Sequence, residues 1–383
     1  VKIIDTVEFQ RLRYIKQLGA ASYVFPSATH TRFSHSIGVF YLASKLIKNL
    51  QKNHPEEEIS DRHVMLIEIA ALIHDLGHGP FSHLWDHYVI YKGDDEHEVR
   101  GLTIFKHMIR NYNIDITPVE FNIICELVNP TIESNKKNWY YQIVANKIFQ
   151  IDVDKLDYIQ RDSFYIGNIG MIGNFERLIT DVRIVTDSQG YKQLGWDKKL
   201  SYELFSVFTT RFKLHKLVYN HHTVKSHEYM LVHILREFYE KMKEKKISFL
   251  DLTDNLITTK NYVLNKETCF VDNSNKIAIM DIIHLRRSPK FLGEVIIQEN
   301  HPNFDKITQQ TYPQYKINLL IDKIDIKFSS NDTNPMEDIL YYDKKKFNEI
   351  KQLRRLENVA GERKNNYQQS IYDLEGFKNT TSW

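Results

Sequence analysis

Residues 72–83 read Leu72-Ile73-His74-Asp75-Leu76-Gly77-His78-Gly79-Pro80-Phe81-Ser82-His83, directly after an apolar segment (64–73) that predicts a helix. Ionisable groups in so apolar a setting are costly to bury unless something pairs with them. The adjacent His74 and Asp75 offer an imidazole nitrogen and a carboxylate oxygen, which suit a divalent Fe, Mn, Zn or Mg ion. His78 falls one turn beyond His74 if the helix continues, and the two glycines let the backbone turn sharply. Taken alone, the pair indicates either a metal site or a buried His–Asp hydrogen bond.

The composition narrows the classes of protein to which the chain can belong. The 51 basic and 49 acidic residues among 383 leave a net charge of +2, which gives no global signature of nucleic-acid binding. The two cysteines, Cys125 and Cys269, form no disulfide framework and indicate a reducing intracellular compartment, nucleus or cytoplasm. No apolar run approaches the ~20 residues that span a bilayer. Because the sequence starts at Val1 rather than Met, we expect that an upstream segment has been removed.

Periodicity predicts a mostly α-helical chain with a small α/β lobe near its end. Helices are expected over residues 9–19 (ended by Gly19), 29–50, 64–73, 102–111, 118–128, 151–166 and 205–241. The second of these has a predicted buried stripe: Phe33, Ile37, Tyr41, Ser44 and Ile47. Extended segments are expected at residues 23–25 and 191–196, and alternation over 315–328 favours strands. The predicted units are residues 1–290, a small lobe at 291–365 and a polar tail at 366–383.

Two helical stripes combine carboxylates, tyrosines and basic groups. Asp154, Tyr158 and Asp162 are spaced i, i+4 and i+8, so they share one helix face, with Lys155 beside them. A second set has the same spacing: Arg211, His215 and Tyr219. A solvated helix face is one interpretation of such stripes, and a pocket for a sugar phosphate is the other.

His35, His74-Asp75 and Asp154 complete the spaced pattern H…HD…D. With this pattern the chain resembles the HD superfamily of metal-dependent phosphohydrolases. Residues 1–100 and 150–222 resemble more closely the catalytic domain of the SAM-and-HD-domain dNTP triphosphohydrolases, the family of the animal retroviral restriction factor. The shared runs are FQRLRYIKQLG at 9–19, HDLGHGPFSH at 74–83, IDVDK at 151–155 and LTDN at 252–255. The sequence given contains no counterpart of the SAM domain.

The resemblance implies an all-helical HD core within residues 1–290 and hydrolysis of a dNTP to a deoxynucleoside and inorganic triphosphate. It implies one divalent transition metal (Fe, Mn or Zn), with Mg on the triphosphate. The implied metal ligands are His35, His74, Asp75 and Asp154. Water would attack the α-phosphorus while the 5′-oxygen leaves, and this poor leaving group needs a proton donor. The expected catalytic residues are His83 as donor, Asp86 to orient its ring, and His78 and His97 against the phosphates.

The same resemblance implies a substrate pocket. Positive charge for the triphosphate is expected from Arg32, Lys155 and Arg211. Tyr158 and Tyr219 would sandwich the sugar and base, and Asp162 and Gln17 would bond the 3′-hydroxyl. Leu18 and Tyr219 would crowd the 2′ position and exclude ribonucleotides. Asn220 would face the base edge, where the family usually has Gln.

An activator site that drives tetramer assembly is also implied. A cluster that reads a guanine nucleotide (GTP or dGTP) is matched by Asp5, Gln10 and Arg13, with Arg286 and Lys290 reaching its phosphates from a neighbouring subunit. An adjoining dNTP effector site is matched by Val24, Phe25, Arg177, Lys198 and His221. Three positions depart from the family: Asp181, Trp196 and His222. The family's upstream Lys-Val pair falls before Val1.

Two other interpretations stay open. The chain could be an HD nucleotidase or phosphodiesterase that acts on another nucleotide, although Gln17, Tyr158 and Asp162 form a deoxyribose-specific set. It could also be a module that binds single-stranded nucleic acid, since aromatic residues beside Arg and Lys suit that function too. The complete set of metal ligands argues against a purely non-catalytic role. We expect no membrane partner.

Overall fold

A computed structural model describes residues 2–90, 96–168, 175–245, 248–255, 283–284, 291, 296–297, 324–326, 335–343, 346–352 and 380–382. Its helices are α1 (Val7–Gln10), α2 (Arg32–Asn53), α3 (Asp61–Ile73), α4 (His83–Tyr88), α5 (His97–Asn111), α6 (Pro118–Val128), α7 (Ile132–Lys137), α8 (Val153–Tyr165), α9 (Glu176–Thr180), α10 (Ser201–Leu214), α11 (His222–Lys245) and α12 (Pro335–Asp338). The protein is therefore mostly α, as predicted. None of the described helices is long and apolar enough to cross a membrane.

Side-chain caps fix where the helices around the site begin. The Ser60 hydroxyl accepts a hydrogen bond from the His63 amide at 3.2 Å and starts α3. The Asp152 carboxylate accepts one from the Lys155 amide at 2.8 Å and starts α8. α3 ends at Ile73, ahead of two glycines and Pro80, which cannot continue a helix. These boundaries leave His74 and Asp75 at the end of α3 and Asp154 in the first turn of α8.

Within the described residues, seven short strands form two small sheets. The strands are β1 (Arg183–Thr186), β2 (Lys192–Asp197), β3 (Ile296–Ile297), β4 (Ile324–Ile326), β5 (Leu340–Asp343), β6 (Lys346–Gln352) and β7 (Thr380–Ser382). The first sheet has the order β1-β2-β5-β6, with β2 and β5 parallel and the other pairs antiparallel. The second sheet has the order β3-β7-β4. Strand β5, from the predicted C-terminal lobe, thus pairs with β2 of the predicted HD domain; the boundary at residue 290 stays a prediction.

The largest apolar core lies where α2 packs against α3, α8 and α9. A second cluster joins α11 to α4 behind the histidine-rich turn, and it includes Phe81, Trp85, Leu231 and Leu235. Gly79 lies against this cluster, because an added Cβ would stand 2.5 Å from the Trp85 ring. The turn that carries the site is therefore packed on both sides.

Several predicted elements are confirmed and others are wrong. Helix α6 has the predicted bounds, and the strand predicted at 191–196 is β2. The helix predicted at 9–19 ends at Tyr14, and Gly19, at φ +50°, begins a 3₁₀ turn over Gly19–Tyr23. The extended segment expected at 23–25 is not formed there, because this turn reaches Tyr23 and Val24 has helical backbone angles, φ −108° and ψ −43°. Of the strands predicted over 315–328, the described part is β4.

The predicted stripe of α2 is correct in part. Ile47 is buried, and Phe33 and Ile37 pack half-buried against the core, whereas Tyr41 is 59% exposed. The buried side also contains residues outside the prediction: Val39, Ala43, Leu46 and Leu50. Apolar residues occur around the whole helix, so periodicity alone did not fix its buried face. The long helix predicted at 205–241 is two helices, because a π-helical turn over His215–Tyr219 ends α10 and the chain restarts at α11.

Candidate metal centre

The four predicted metal ligands lie together where three helices meet. His35 lies near the start of α2, His74 and Asp75 directly follow α3, and Asp154 lies in the first turn of α8. Their ligand atoms are close neighbours: His35 Nε2 lies 3.0 Å from Asp154 Oδ1, 3.2 Å from His74 Nε2 and 3.3 Å from Asp75 Oδ2. His74 Nε2 lies 3.5 Å from Asp154 Oδ1 and 3.6 Å from Asp75 Oδ1. Ligands bound ~2.1 Å from one metal ion stand about 3.0–3.4 Å apart, so these spacings fit a single ion.

Hydrogen bonds at the far side of each imidazole fix which nitrogen faces the cluster. His74 Nδ1 lies 2.8 Å from the Ala71 carbonyl oxygen, which can only accept. His35 Nδ1 lies 2.8 Å from the Asp157 carboxylate. Both rings therefore carry hydrogen on Nδ1, and both Nε2 atoms face each other and two carboxylates. A divalent cation bound there would replace the protons on these Nε2 atoms and satisfy the carboxylates as well.

The charges of the cluster also favour a cation. Burial alone would lower the pKa of His35, but hydrogen bonds to Asp154 and Asp157 and the charge of Asp75 raise it to about 10. Burial likewise opposes ionisation of Asp154, yet the hydrogen bonds of His35 and His74 hold its pKa far below the usual value. The pocket thus attracts positive charge while it keeps its carboxylates ionised.

Arg32, predicted to contact the triphosphate, lies beside the cluster. Its guanidinium donates to Asp75 Oδ2 at 2.6 Å and to the Ser82 hydroxyl at 2.9 Å, and the side chain is only 3% exposed. Burial works against the charge of Asp75, but Arg32 and His74 hold its pKa well below the usual value. Arg32 therefore neutralises and orients a candidate metal ligand.

Three histidines and Asp86 form a second cluster next to the first. His78 Nε2 lies 3.2 Å from Asp75 Oδ1, and its ring stacks on that of His97 with centroids 4.0 Å apart. Asp86 lies 3.1 Å from His78 Nδ1 and also pairs with Arg100. Asp86 was expected to orient His83. Its carboxylate bonds His78 and Arg100, and a ring nitrogen of His83 lies within 4.8 Å of it, so the orienting role stays a prediction.

The His83 side chain is exposed to solvent on one side, and neighbouring residues cover the rest of its ring. Its edge faces His78 at a centroid distance of 5.0 Å and His97 at 5.8 Å. The surrounding protein desolvates the ring, and the positive charges of Arg32 and His78 oppose a proton there, so the pKa of His83 lies well below its usual value. Desolvation and the charge of His78 also lower the pKa of His97, to about 3. These rings favour an anion between them.

The residues predicted to hold the sugar lie on facing elements. The Asp162 carboxylate bonds the Tyr219 hydroxyl at 2.5 Å and His30 Nε2 at 2.6 Å. Burial is the main reason that the pKa of the Tyr158 hydroxyl lies above its usual value, although Arg211 bonds this hydroxyl and opposes the rise. Gln17 is 7% exposed, and its Oε1 has no hydrogen-bond partner among the described groups. A buried acceptor of this kind favours a ligand hydroxyl.

The other predicted substrate residues have protein partners of their own. Lys155 is buried and its Nζ lies 3.2 Å from Asp152 Oδ2. Asn220 donates from Nδ2 to the His215 carbonyl at 3.0 Å. Leu18 is partly buried against the main core. Their roles toward a substrate stay predictions.

The predicted guanine-reading residues lie near the start of the chain. Asp5 is exposed, and Gln10 accepts a hydrogen bond from Arg13, whose guanidinium covers the Phe33 ring at 3.6 Å. Arg286 and Lys290 lie outside the described residues.

The predicted effector residues are spread over three regions. Val24 and Phe25 are partly buried, and the Phe25 ring meets the edge of His221 at 5.8 Å. Arg177 pairs with Glu203 at 2.6 Å, and Lys198 pairs with Asp343.

Two of the positions that depart from the family pattern, Trp196 and His222, have well-defined contacts with neighbouring residues. Trp196 is 1% exposed in the core, where its Nε1 donates to the Leu178 carbonyl at 2.9 Å. It therefore presents no group to a surface nucleotide. His222 stacks on Phe291 with centroids 4.1 Å apart.

Four residues around the site were missed in the sequence. Asp157 bonds His35 of the first cluster, and Arg100 pairs with Asp86 of the second. His30 bonds Asp162 in the predicted sugar pocket. Asp254 accepts hydrogen bonds from the Phe81 amide at 2.7 Å and the Lys16 amide at 2.9 Å. A signal existed for Asp157, since it lies three residues after Asp154 on the same helix; Asp254 lies within the shared LTDN run, and its contacts join distant segments.

Comparisons with known proteins agree with this geometry. The family model described as HD domain matches residues 32–162, which contain all four candidate ligands. The deoxynucleoside triphosphate triphosphohydrolase SAMHD1 homolog of Dictyostelium discoideum is 32% identical over 88% of this chain and 67% of its own length. The human deoxynucleoside triphosphate triphosphohydrolase SAMHD1 is 31% identical over 89% of this chain and 62% of its own length. A putative HD domain-containing protein of Acanthamoeba polyphaga mimivirus is 34% identical over 90% of this chain and 81% of its own. The chain thus spans about two thirds of the length of the two cellular relatives.

Proposed function

The chain belongs to the SAMHD1-type family of HD-domain deoxynucleoside triphosphate triphosphohydrolases, and from this premise we propose that it hydrolyses a dNTP to a deoxynucleoside and inorganic triphosphate. The observation that carries the proposal is the convergence of His35, His74, Asp75 and Asp154 beside a second cluster of three histidines. Such a pair of clusters suits a reaction in which an anionic phosphate ester lies against a metal ion.

The first cluster would hold one divalent transition metal: Fe, Mn or Zn. A metal there supplies Lewis-acid polarisation of a phosphoryl oxygen and lowers the pKa of water. Around it, Arg32 keeps Asp75 ionised, and His78 and His97 would lie against the phosphates. A further Mg ion would accompany the triphosphate in solution, as it does for nucleotides generally.

Proton supply to the leaving 5′-oxygen is assigned to His83. Its low pKa in the free protein comes from desolvation and from the neighbouring positive charges of Arg32 and His78. A bound triphosphate would offset those charges, raise the pKa of His83 and so allow the ring to carry a proton when substrate is present. Substrate binding and protonation of the donor are coupled in this proposal.

The sugar pocket would select deoxyribose. The unpartnered Gln17 Oε1 offers an acceptor for the 3′-hydroxyl, and Asp162, held between His30 and Tyr219, offers a second one. Leu18 and Tyr219 would leave no room for a 2′-hydroxyl, which is selection by exclusion.

Activation by a guanine nucleotide forms a separate part of the proposal. The exposed Asp5 carboxylate can accept from the ring N–H and the amino group of guanine, and adenine offers no matching pair of donors. A nucleotide that two subunits hold together binds the assembled state better than the separated one, so it would favour a tetramer.

The proposal is tested by incubating purified protein with dGTP and Mn and separating the products by anion exchange. We expect deoxyguanosine and triphosphate, and no activity after addition of a chelator. Stepwise release of phosphate, or pyrophosphate with dGMP, would refute the reaction. The exposed Asp115→Asn variant serves as a matched control that keeps wild-type activity.

A further inference from the structure

His35 and His74 are held in different ways, and this difference points to a further positioning group. The Nδ1 of His74 bonds a backbone carbonyl, which no side-chain change removes. The Nδ1 of His35 bonds the Asp157 side chain at 2.8 Å. The orientation of His35 therefore depends on how Asp157 is itself held.

Asp157 is held by a two-pronged ion pair within α8. Arg161 lies one turn further along, and its Nε donates to Asp157 Oδ2 and its Nη2 to Asp157 Oδ1, both at 2.8 Å. The Asp157 side chain is 8% exposed. A forked guanidinium fixes the plane of a carboxylate and keeps it ionised, so the carboxylate can only accept a hydrogen bond from His35.

The backbone of α2 makes room for this ion pair at Gly38. A Cβ added to Gly38 would stand 1.9 Å from Asp157 Oδ1 and 2.2 Å from Arg161 Nη2. A glycine inside a helix is destabilising relative to alanine. Here its lack of a side chain lets the ion pair lie against α2 one turn after His35.

We infer that Gly38, Asp157 and Arg161 act as one positioning unit that fixes the tautomer and direction of His35 for metal binding. The inference rests on the proposed metal centre and deepens it. With hydrogen held on Nδ1, the Nε2 lone pair of His35 stays directed at Asp154 and His74. Outer partners of this kind raise the basicity of a ligating imidazole and limit its rotation.

The test measures Mn²⁺ affinity directly, by electron paramagnetic resonance of the free ion, in the absence of nucleotide. We expect Asp157→Asn to weaken Mn²⁺ binding ~10–100-fold, because an asparagine carries no charge and its amide can donate to Nδ1 and reverse the tautomer. Arg161→Gln leaves the Asp157 charge in place, but the carboxylate plane is no longer fixed. We therefore expect a smaller loss of Mn²⁺ affinity than for Asp157→Asn. Arg161→Lys should recover part of the Arg161→Gln loss.

Thermal unfolding with and without Mn²⁺ separates positioning from a general structural role. A positioning role lowers the stabilisation that Mn²⁺ provides and leaves the metal-free melting temperature of Arg161→Gln close to that of the wild type. Glu133→Gln, which removes a carboxylate from an exposed i, i+4 pair with Lys137, is the matched control and should bind Mn²⁺ like the wild type.

The outcomes are distinct. If the wild type binds Mn²⁺ and both the Asp157 and Arg161 variants bind it equally well, the positioning unit is refuted while the metal centre stands. If Asp157→Asn fails to fold, Arg161→Gln decides the question alone. If the wild type binds no divalent metal, the proposed centre itself is wrong and this inference is overturned with it.

Discussion

Replacing Asp254 with alanine should change stability by an amount that depends on pH. Asp254 is 2% exposed, and its two oxygens accept the Phe81 amide at 2.7 Å and the Lys16 amide at 2.9 Å. Phe81 and Ser82 have φ values of 60° and 56°, a conformation that is costly for residues other than glycine. Asp254 therefore holds a strained turn directly before His83.

Two opposing effects set how much the Asp254→Ala substitution changes the free energy of unfolding. Loss of the carboxylate leaves two buried N–H groups without an acceptor, at about 1–3 kcal/mol each, or ~2–6 kcal/mol in total. Burial raises the pKa of Asp254 from 3.8 to about 6. At neutral pH the folded wild type thus carries an ionised carboxylate at a cost of about 3 kcal/mol, which the variant does not have.

The direction of the pH dependence follows from this raised pKa. The folded wild type binds the proton of Asp254 more tightly than the unfolded chain, so this group stabilises the fold most below about pH 4 and loses that contribution as the pH rises through about 6. Alanine does not titrate. The difference in unfolding free energy between wild type and Asp254→Ala should therefore be largest in acid and shrink by about 3 kcal/mol toward neutral pH.

Urea denaturation followed by circular dichroism, from about pH 4.5 to about pH 7.5, should show about 2 kcal/mol of this change, because the unfolded carboxyl is already mostly ionised at pH 4.5. Other titrating groups cancel because they are common to both proteins. The exposed Asp115→Ala variant should show a small difference that does not vary with pH. A difference for Asp254→Ala that stays constant, or that grows with pH, would refute the assignment of Asp254 as a buried acceptor with a raised pKa.

Three further predictions test the metal, the pocket and the activator. Asp154→Ala should lower metal affinity at least ~100-fold with the fold retained, because a direct ligand is lost; full metal occupancy by elemental analysis would contradict the ligand assignment. GTP should be hydrolysed about 10–100-fold more slowly than dGTP, since Leu18 and Tyr219 crowd the 2′ position, and equal turnover in a direct competition assay would reject that pocket. GTP should promote a tetramer and raise activity, with Asp5→Ala weakening both; sedimentation that shows the same oligomer with and without GTP, together with full activity on dATP alone, would rule the activator out.

His74 and Asp75 could be singled out from the sequence because they are adjacent and follow an apolar helix. His35 and Asp154 are 39 residues before His74 and 79 residues after Asp75, so they were assigned through the resemblance to the HD superfamily and not through local spacing. Helix α6 was predicted with its bounds because Thr117 and Pro118 mark its start. Spacing along one element determines which residues share a face, and this is what the sequence conveys directly.

The contacts between distant segments could not be predicted in the same way. Asp86 was assigned to His83, three residues before it, and the contact of its carboxylate with His78 was not predicted. Asp254 contacts residues that precede it by more than 170 and 230 positions. The buried side of α2 was misjudged at Tyr41, because its apolar residues do not favour one phase. Tertiary packing decided each of these cases.

The position of bond cleavage tests the proposed reaction most directly. Hydrolysis of dGTP in water enriched in oxygen-18, followed by mass spectrometry of both products, shows where the water oxygen goes. Attack at the α-phosphorus predicts one labelled oxygen in the triphosphate and none in deoxyguanosine. Label in the 5′-hydroxyl of deoxyguanosine, or release of labelled pyrophosphate or single phosphate, would contradict the reaction that we propose.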